Sequence, residues 1–256
     1  MATTDEIIAR VKQKKELSGL TDAVVSETLL NYLKKKSISL EYLNDAEKKL
    51  LVKDIRAELR HYSGRFQKDS EKRLPFVKSG NISELLKTHS STRERVEFYP
   101  EIRKLLGELK VKSILDLGCG INPVALATRD VEYYASDINE ENLQVVSKFF
   151  QKNNLNGKTF VCDLKHIDLC TLPKTDICFL FKVFDVLETK GHKLAEKIII
   201  LLHSTYLLIS FSTKTLSGKP MNHPQRGWIE LLLSRLDYKF SILKSKNEIF
   251  YLARKS

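Results

Sequence analysis

Residues Ser113 to Pro123 read SILDLGCGINP, an apolar run of strand character that stops at an acid and a glycine-rich turn. Gly118 and Gly120 let the backbone turn sharply and let a ligand approach the main chain, and Asp116 sits at the strand's end. A dinucleotide-binding GxGxxG turn needs a third glycine at position 123, but Pro123 stands there. Its fixed φ suits the first turn of the following helix. The stretch therefore predicts a strand, a ligand loop and a helix, with NAD and FAD disfavoured.

Outward from the turn, a second strand ends at Asp137 (Tyr133-Tyr134-Ala135-Ser136-Asp137) and a third, Thr159 to Cys162, ends at Asp163, followed by Leu164. An acid about 20 residues beyond such a turn is at the spacing that reaches a ribose diol. From Asp163 a carboxylate can accept a hydrogen bond from an adenine amino group. An acid two residues before GxG is the shape expected for S-adenosylmethionine (SAM), whose amino-acid end lies over the loop. Asp116, Asp137 and Asp163 would share one edge of an open α/β sheet, the edge at which such sheets bind ligands.

The remaining pattern completes the fold. Asp176 to Phe181 reads as a buried fourth strand, His192 to Leu202 as a helix, Tyr206 to Phe211 as a fifth strand, and a helix holding Trp228 follows. Tyr238 to Leu243 and Glu248 to Leu252 should close the sheet as a hairpin. The expected fold is α/β: a Rossmann-like SAM-dependent methyltransferase domain with a seven-stranded, mostly parallel sheet over residues 81–256. Residues 1–80 form a helical domain, with helical periodicity over 5–17, 21–36 and 44 to about 60. The boundary falls near Ser79-Gly80-Asn81. Ser91 and Glu94 have the spacing of a capping box, so a helix should start there. Pro100 suggests a kink or restart.

The 256 residues suit one domain of ordinary size plus a smaller one. No apolar run reaches membrane-spanning length, the first residues do not form a signal peptide, and a cytoplasmic protein is expected. Cys119, Cys162, Cys170 and Cys178 form no CxxC, and buried thiols are expected in place of disulfides or metal ligands. The net charge of +11 is uneven: residues 48–78 carry ten Lys/Arg (Lys48, Lys49, Lys53, Arg56, Arg60, Arg65, Lys68, Lys72, Arg73, Lys78) against four acids. Such a patch suits a polyanion, and its bland alternative is a solvated helix face.

In combination, His89 to Arg95 (HSSTRER), Tyr99-Pro100, Ile114 to Pro123 and Ile209 to Lys219 (ISFSTKTLSGK) resemble the aminoglycoside-resistance 16S rRNA (guanine-N7) methyltransferases. The resemblance covers most of residues 80–220. It implies a SAM site made by His89, Ser90, Ser91, Arg95, Gly118, Gly120, Asp137, Asp163 and Leu164, with Arg95 on the SAM carboxylate. It also implies a substrate, 16S rRNA in the 30S subunit, methylated at nucleotide 1405, and a helical N-terminal unit that grips the RNA. Lys49, Lys53, Arg56, Arg60, Lys182, Lys214 and Lys219 are the expected RNA contacts. The chain is expected to act as a monomer.

The chemistry agrees with a sparse set of residues. Enzymes that methylate exocyclic amines often carry an Asp/Asn-Pro-Pro-Tyr/Phe motif after the fourth strand, where this chain has Lys182-Val183-Phe184-Asp185. Guanine N7 has a free lone pair and no proton to lose, so transfer needs alignment more than a general base. Phe181, Phe184 and Phe211 could hold a flipped base or could be core. A SAM enzyme on a small molecule or protein, and a non-catalytic RNA-binding relative, are the alternative readings.

Overall fold

The computed structural model describes residues 3–187, 191–214 and 218–256. Seven helices precede the sheet: α1 (Thr4–Lys12), α2 (Asp22–Lys36), α3 (Asp45–Tyr62), α4 (Arg73–Ser79), α5 (Ile82–Lys87), α6 (Ser90–Arg95) and α7 (Tyr99–Glu108). Then follow β1 (Ser113–Leu117), α8 (Pro123–Leu126), β2 (Glu132–Asp137), α9 (Glu140–Asn153), β3 (Gly157–Val161), β4 (Thr175–Phe181), α10 (Phe184–Leu187), α11 (Lys193–Leu201), β5 (Ser204–Ser212), α12 (Gly227–Arg235), β6 (Tyr238–Lys244) and β7 (Glu248–Lys255).

The strand order is β3-β2-β1-β4-β5-β7-β6, parallel from β3 to β5 and antiparallel in the closing hairpin. The order reverses direction between β1 and β4, which opens a crevice at the carboxyl ends of the parallel strands. Register places Leu117 beside Ser136, so the Gly118–Gly120 turn lies against Asp137. Alternation along each strand feeds two apolar layers. Ile114, Ala135, Ile177 and Phe179 face α7 and α9, whereas Leu115, Leu117, Cys178 and Leu180 face α11 and α12.

Helices α1 to α3 bury a separate core of Ile7, Val11, Leu17, Val25, Leu29, Leu51, Ile55 and Leu59. Side-chain caps start each one: Thr3 accepts from Glu6 N, Thr21 from Val24 N, and Asn44 with Glu47 forms a capping box. This unit docks just beyond the end of β2. Thr21 N donates to Ile138 O at 3.2 Å, Glu140 N to Gly19 O at 2.7 Å, and Ser18 Oγ to Glu141 Oε1 at 2.7 Å. A Cβ on Gly19 would lie 2.4 Å from Asn139 Oδ1, so the two backbones meet because this residue has no side chain.

Helix α4 packs on α9, and Val77 belongs to the sheet's core. Arg73, counted with the basic run, is buried: its guanidinium donates to Thr88, Gln67 and Asn142. Burial pushes its pKa down to about 10. The basic surface is smaller by that residue than the sequence suggests, because only a buried, multiply bonded arginine can join 67, 88 and 142. Among the described residues no helix is long and apolar enough to cross a membrane.

Candidate active site

At the end of β1, Gly118 (φ 67°) and Gly120 (φ 52°) adopt the left-handed backbone that favours glycine. Cys119 N donates to Ser136 O at 2.8 Å and Gly120 N to Asp137 Oδ2 at 2.8 Å, which stitches the turn to β2. A Cβ on Gly120 would lie 2.8 Å from the His89 ring, so space as well as φ demands glycine there. Pro123 opens α8, as expected from the missing third glycine.

A cleft of about 890 Å³, counted out to open solvent, lies over this turn. Its wall combines His89, Ser91, Gly118, Gly120, Asn122, Asp137, Asn142, Asp163, Leu164, Phe181, Lys182 and Val183 with Tyr62, Ser63, Phe66 and Gln67 from the helical side. Asp137 keeps both oxygens bonded: Oδ1 accepts from Asn139 N at 2.9 Å, and Oδ2 from Gly120 N and from Asn142 Nδ2 at 3.3 Å. Burial still raises its pKa against those bonds. Asp163 is half-buried and accepts from Lys165 N at 3.0 Å. His89 stacks on Phe66 at 5.7 Å; burial, with Arg73, Arg95 and Lys182 nearby, holds its pKa well below the ordinary histidine range, and its buried Nδ1 has no partner among the described residues.

Behind the cleft lies a buried ionic network. Arg95, 1% exposed, donates to Glu248 Oε2 at 2.8 Å, Asn122 Oδ1 at 2.7 Å and Ser91 Oγ at 3.1 Å, and stacks over Phe181. Burial works against its charge, yet the adjacent Glu248 raises the pKa. Burial would raise the Glu248 pKa, but Arg95 and Lys182 hold it below the usual value. Lys182, on the cleft wall with φ 58°, reaches Glu94 at 2.6 Å and Glu248 at 3.5 Å. Glu248 is the participant that the sequence reading missed. Its signal was a lone acid opening the otherwise apolar strand EIFYL.

Several expectations need correction. Ser91 is not a helix cap: α6 begins at Ser90 after His89, the Ser91 hydroxyl serves Arg95, and the Glu94 carboxylate is drawn to Lys182. Arg95 does not line the cleft, because Glu248, Asn122 and Ser91 engage its fork, and Ser90 is half-buried away from the wall. Cys162 and Cys170 form a disulfide, because the 3-10 turn Leu164–Leu169 returns the chain to a Cα separation of 5.8 Å; Cys119 and Cys178 are buried free thiols. Phe184 and Phe211 are core, packed against Trp228.

The expected RNA-contact residues divide. Lys49 and Lys53 are exposed, whereas Arg56 donates to the Arg10 and Val11 carbonyls and Arg60 pairs with Glu16 at 2.7 Å, bracing α3 against the first helix. Lys214 is half-buried and Lys219 exposed, but Thr215, Leu216 and Ser217 of their loop lie outside the described residues. Where α2 meets the turn after Asp163, His166 Nε2 lies 3.0 Å from Glu27 Oε2.

Asp116 also departs from the expected ligand edge. It is fully buried, accepts from Tyr133 OH at 2.8 Å, and burial pushes its carboxyl up to about 7. An acid whose folded pKa exceeds its unfolded one stabilises the fold when protonated, and that contribution is lost as pH rises from about 4 to about 7, on the order of 4 kcal/mol. Asp116→Asn should flatten this part of the stability curve. Thermal melts of both proteins from about pH 4 to about pH 8, which spans the ordinary and the shifted values, check it; parallel curves would contradict it.

Comparison with known proteins agrees with this architecture. Residues 71–250 match the family model described as ribosomal RNA methyltransferase (FmrO). The chain belongs to that family. A relative from Micromonospora rosea, a 16S rRNA (guanine(1405)-N(7))-methyltransferase, is 29% identical over 182 residues, 66% of this chain and 64% of that protein. One of the same name from Serratia marcescens is 26% identical over 70% of this chain and 72% of its own length. The match thus spans under two thirds of the Micromonospora protein. Among solved structures, the 16S rRNA methyltransferase RmtF in complex with S-adenosyl-L-homocysteine superposes with a TM-score of 0.82 at 20% identity over 100% of both chains. The 16S rRNA methylase ArmA gives 0.58 at 29% identity over 73% of this chain and 98% of that one. This member of the FmrO family therefore has the fold of rRNA methyltransferases along its described length.

Proposed function

We propose that the chain transfers a methyl group from SAM to N7 of guanine 1405 in the 16S rRNA of the 30S subunit, acting in the cytoplasm as a monomer. The observation that carries this reading is one cleft in which the turn after β1 and the acids after β2 and β3 converge beside Lys182, in a chain of the rRNA methyltransferase family.

The residues present fit SAM. The Gly120 cradle leaves main chain bare where a Cβ would collide, and His89 Nδ1 is a buried polar atom awaiting a partner. SAM supplies a methyl group activated on a sulfonium. Asp137 would hold a ribose hydroxyl while it still anchors Gly120 N. Asp163 would accept from an adenine amino group, with Leu164 as the apolar wall. Ser91 and Asn122 would meet the amino-acid end, and Arg95, bonded to both, would supply positive field through them. No side chain need take a proton, because N7 offers its lone pair directly. N7 methylation puts charge and bulk on the guanine's major-groove edge, where a cationic aminoglycoside would be repelled. That outcome is drug resistance.

The exposed lysines of α3 serve the RNA. Lys49→Gln with Lys53→Gln should weaken 30S binding and reduce the salt slope by about 1.5, since each phosphate contact contributes roughly 0.7 to 0.9. Binding measured across salt concentrations checks it, and an unaltered slope would return both lysines to ordinary solvation. The function itself is tested by supplying methyl-labelled SAM with purified 30S subunits: label should enter 16S rRNA. Label entering only protein, or none entering, would contradict the reading.

A further inference from the structure

We infer that Tyr62, at the end of α3, is the aromatic platform on which the flipped guanine stacks, so the helical unit completes the methyl-acceptor site as well as gripping RNA. The inference rests on the rRNA reading above. An enzyme acting on a base within a structured RNA must take it out of its stack and hold it against an aromatic or apolar surface. The phenylalanines at the strand ends cannot provide that surface, because all three are buried: Phe184 and Phe211 pack against Trp228, and Phe181 packs against the buried Arg95 guanidinium.

Among the described residues, the other aromatic rings on the cleft besides His89 are Tyr62 and Phe66, both from the helical side. Phe66 is engaged, stacked on His89 at 5.7 Å with an interplanar angle of 15° and carrying Arg65 4.8 Å from its centre. Tyr62 is half-buried and lines the cleft. Helix α3 packs against α10, which follows β4, and this ring lines the cleft together with Val183, Val186 and Leu187. Gly118 and Gly120 of the β1 turn line the same cleft. Lys165 Nζ lies 4.0 Å from the Tyr62 ring centre and steadies it by a cation–π contact. Lys165 and Lys182 add positive charge on the same wall, and Arg65, whose buried Nε has no partner among the described residues, adds more beside it. A flipped nucleotide brings a π-face and a phosphate, which are the two things this wall is built to meet.

The test uses the full chain, purified 30S subunits and saturating labelled SAM in single-turnover reactions. Tyr62→Ala should slow transfer at least about tenfold, the scale of one lost stacking contact. Affinity for S-adenosyl-L-homocysteine by calorimetry should change less than about twofold, and Tyr62→Phe should restore the rate because it keeps the ring. Tyr62→Leu, which retains apolar bulk without a π-face, should also be slow and guards against a folding defect in the alanine variant. A Tyr62→Ala rate equal to wild type overturns the inference. So does a parallel fall in S-adenosyl-L-homocysteine affinity, which would assign the ring to the cofactor's adenine. Wild-type protein that binds S-adenosyl-L-homocysteine yet methylates no rRNA would instead sink the underlying reading and this role with it.

Discussion

Replacing Glu248 by alanine is expected to lower stability by about 3–5 kcal/mol, the cost of removing one partner from a buried ion pair. Glu248 is 1% exposed, and its loss would leave Arg95 without its carboxylate in a site where water cannot replace it. Ser210 and Lys182 would lose a partner as well. Arg95→Ala should show the mirror effect, because it strands Glu248. Loss of SAM binding in that variant would therefore not show that Arg95 touches the cofactor. Removing both charges by Arg95→Met with Glu248→Leu should cost less than the sum of the single changes, since residues in one network are not additive. Because Glu248 is held below its ordinary pKa, its contribution is present above the unfolded value and lost as pH falls through the folded one. Denaturant unfolding of the four proteins measures this. A loss below about 1 kcal/mol for Glu248→Ala would place the pair with weak surface bridges.

The second large effect falls on the turn. Gly120→Ala forces a side chain into left-handed backbone, at about 1–2 kcal/mol, and into the space of the His89 ring, 2.8 Å away. His89 cannot retreat cheaply, because it is buried and stacked on Phe66. S-adenosyl-L-homocysteine affinity should fall by well over about tenfold, beyond the roughly 1.4 kcal/mol that tenfold represents, while the protein still folds. Gly107→Ala is the control: it has no heavy atom within 4 Å, and adding a methyl there in α7 should leave affinity unchanged. Calorimetry on the two variants decides, and equal affinities would remove the turn from the site.

The fold was legible because its signals are local. A strand ending at Asp137, an acid just beyond a strand at Asp163, glycines where φ is positive, Pro123 at a helix start and the caps at Thr21 and Asn44 all depend on residues close in sequence. What escaped depends on residues far apart. Glu248 meets Arg95 across 153 positions, and Arg73 meets Asn142 across 69. No periodicity marks such pairs. The Ser91 to Glu94 spacing suggested a capping box, yet a buried arginine and a buried lysine competed for those side chains and won, since an unpaired buried charge costs more than a missing cap. Likewise, charge counting gave Arg56, Arg60 and Arg73 to the surface, whereas tertiary contacts bury Arg73 and tie the half-buried Arg56 and Arg60 to the chain's first turns.

The central claim, methyl transfer to a guanine ring nitrogen, is tested most directly by mass spectrometry of 16S rRNA after wild-type protein, SAM and 30S subunits have been incubated together. The account predicts a single added methyl on guanine 1405, located at N7, and none when SAM is withheld. A methyl on an adenine, on a guanine exocyclic amine, or on no rRNA nucleotide would contradict it.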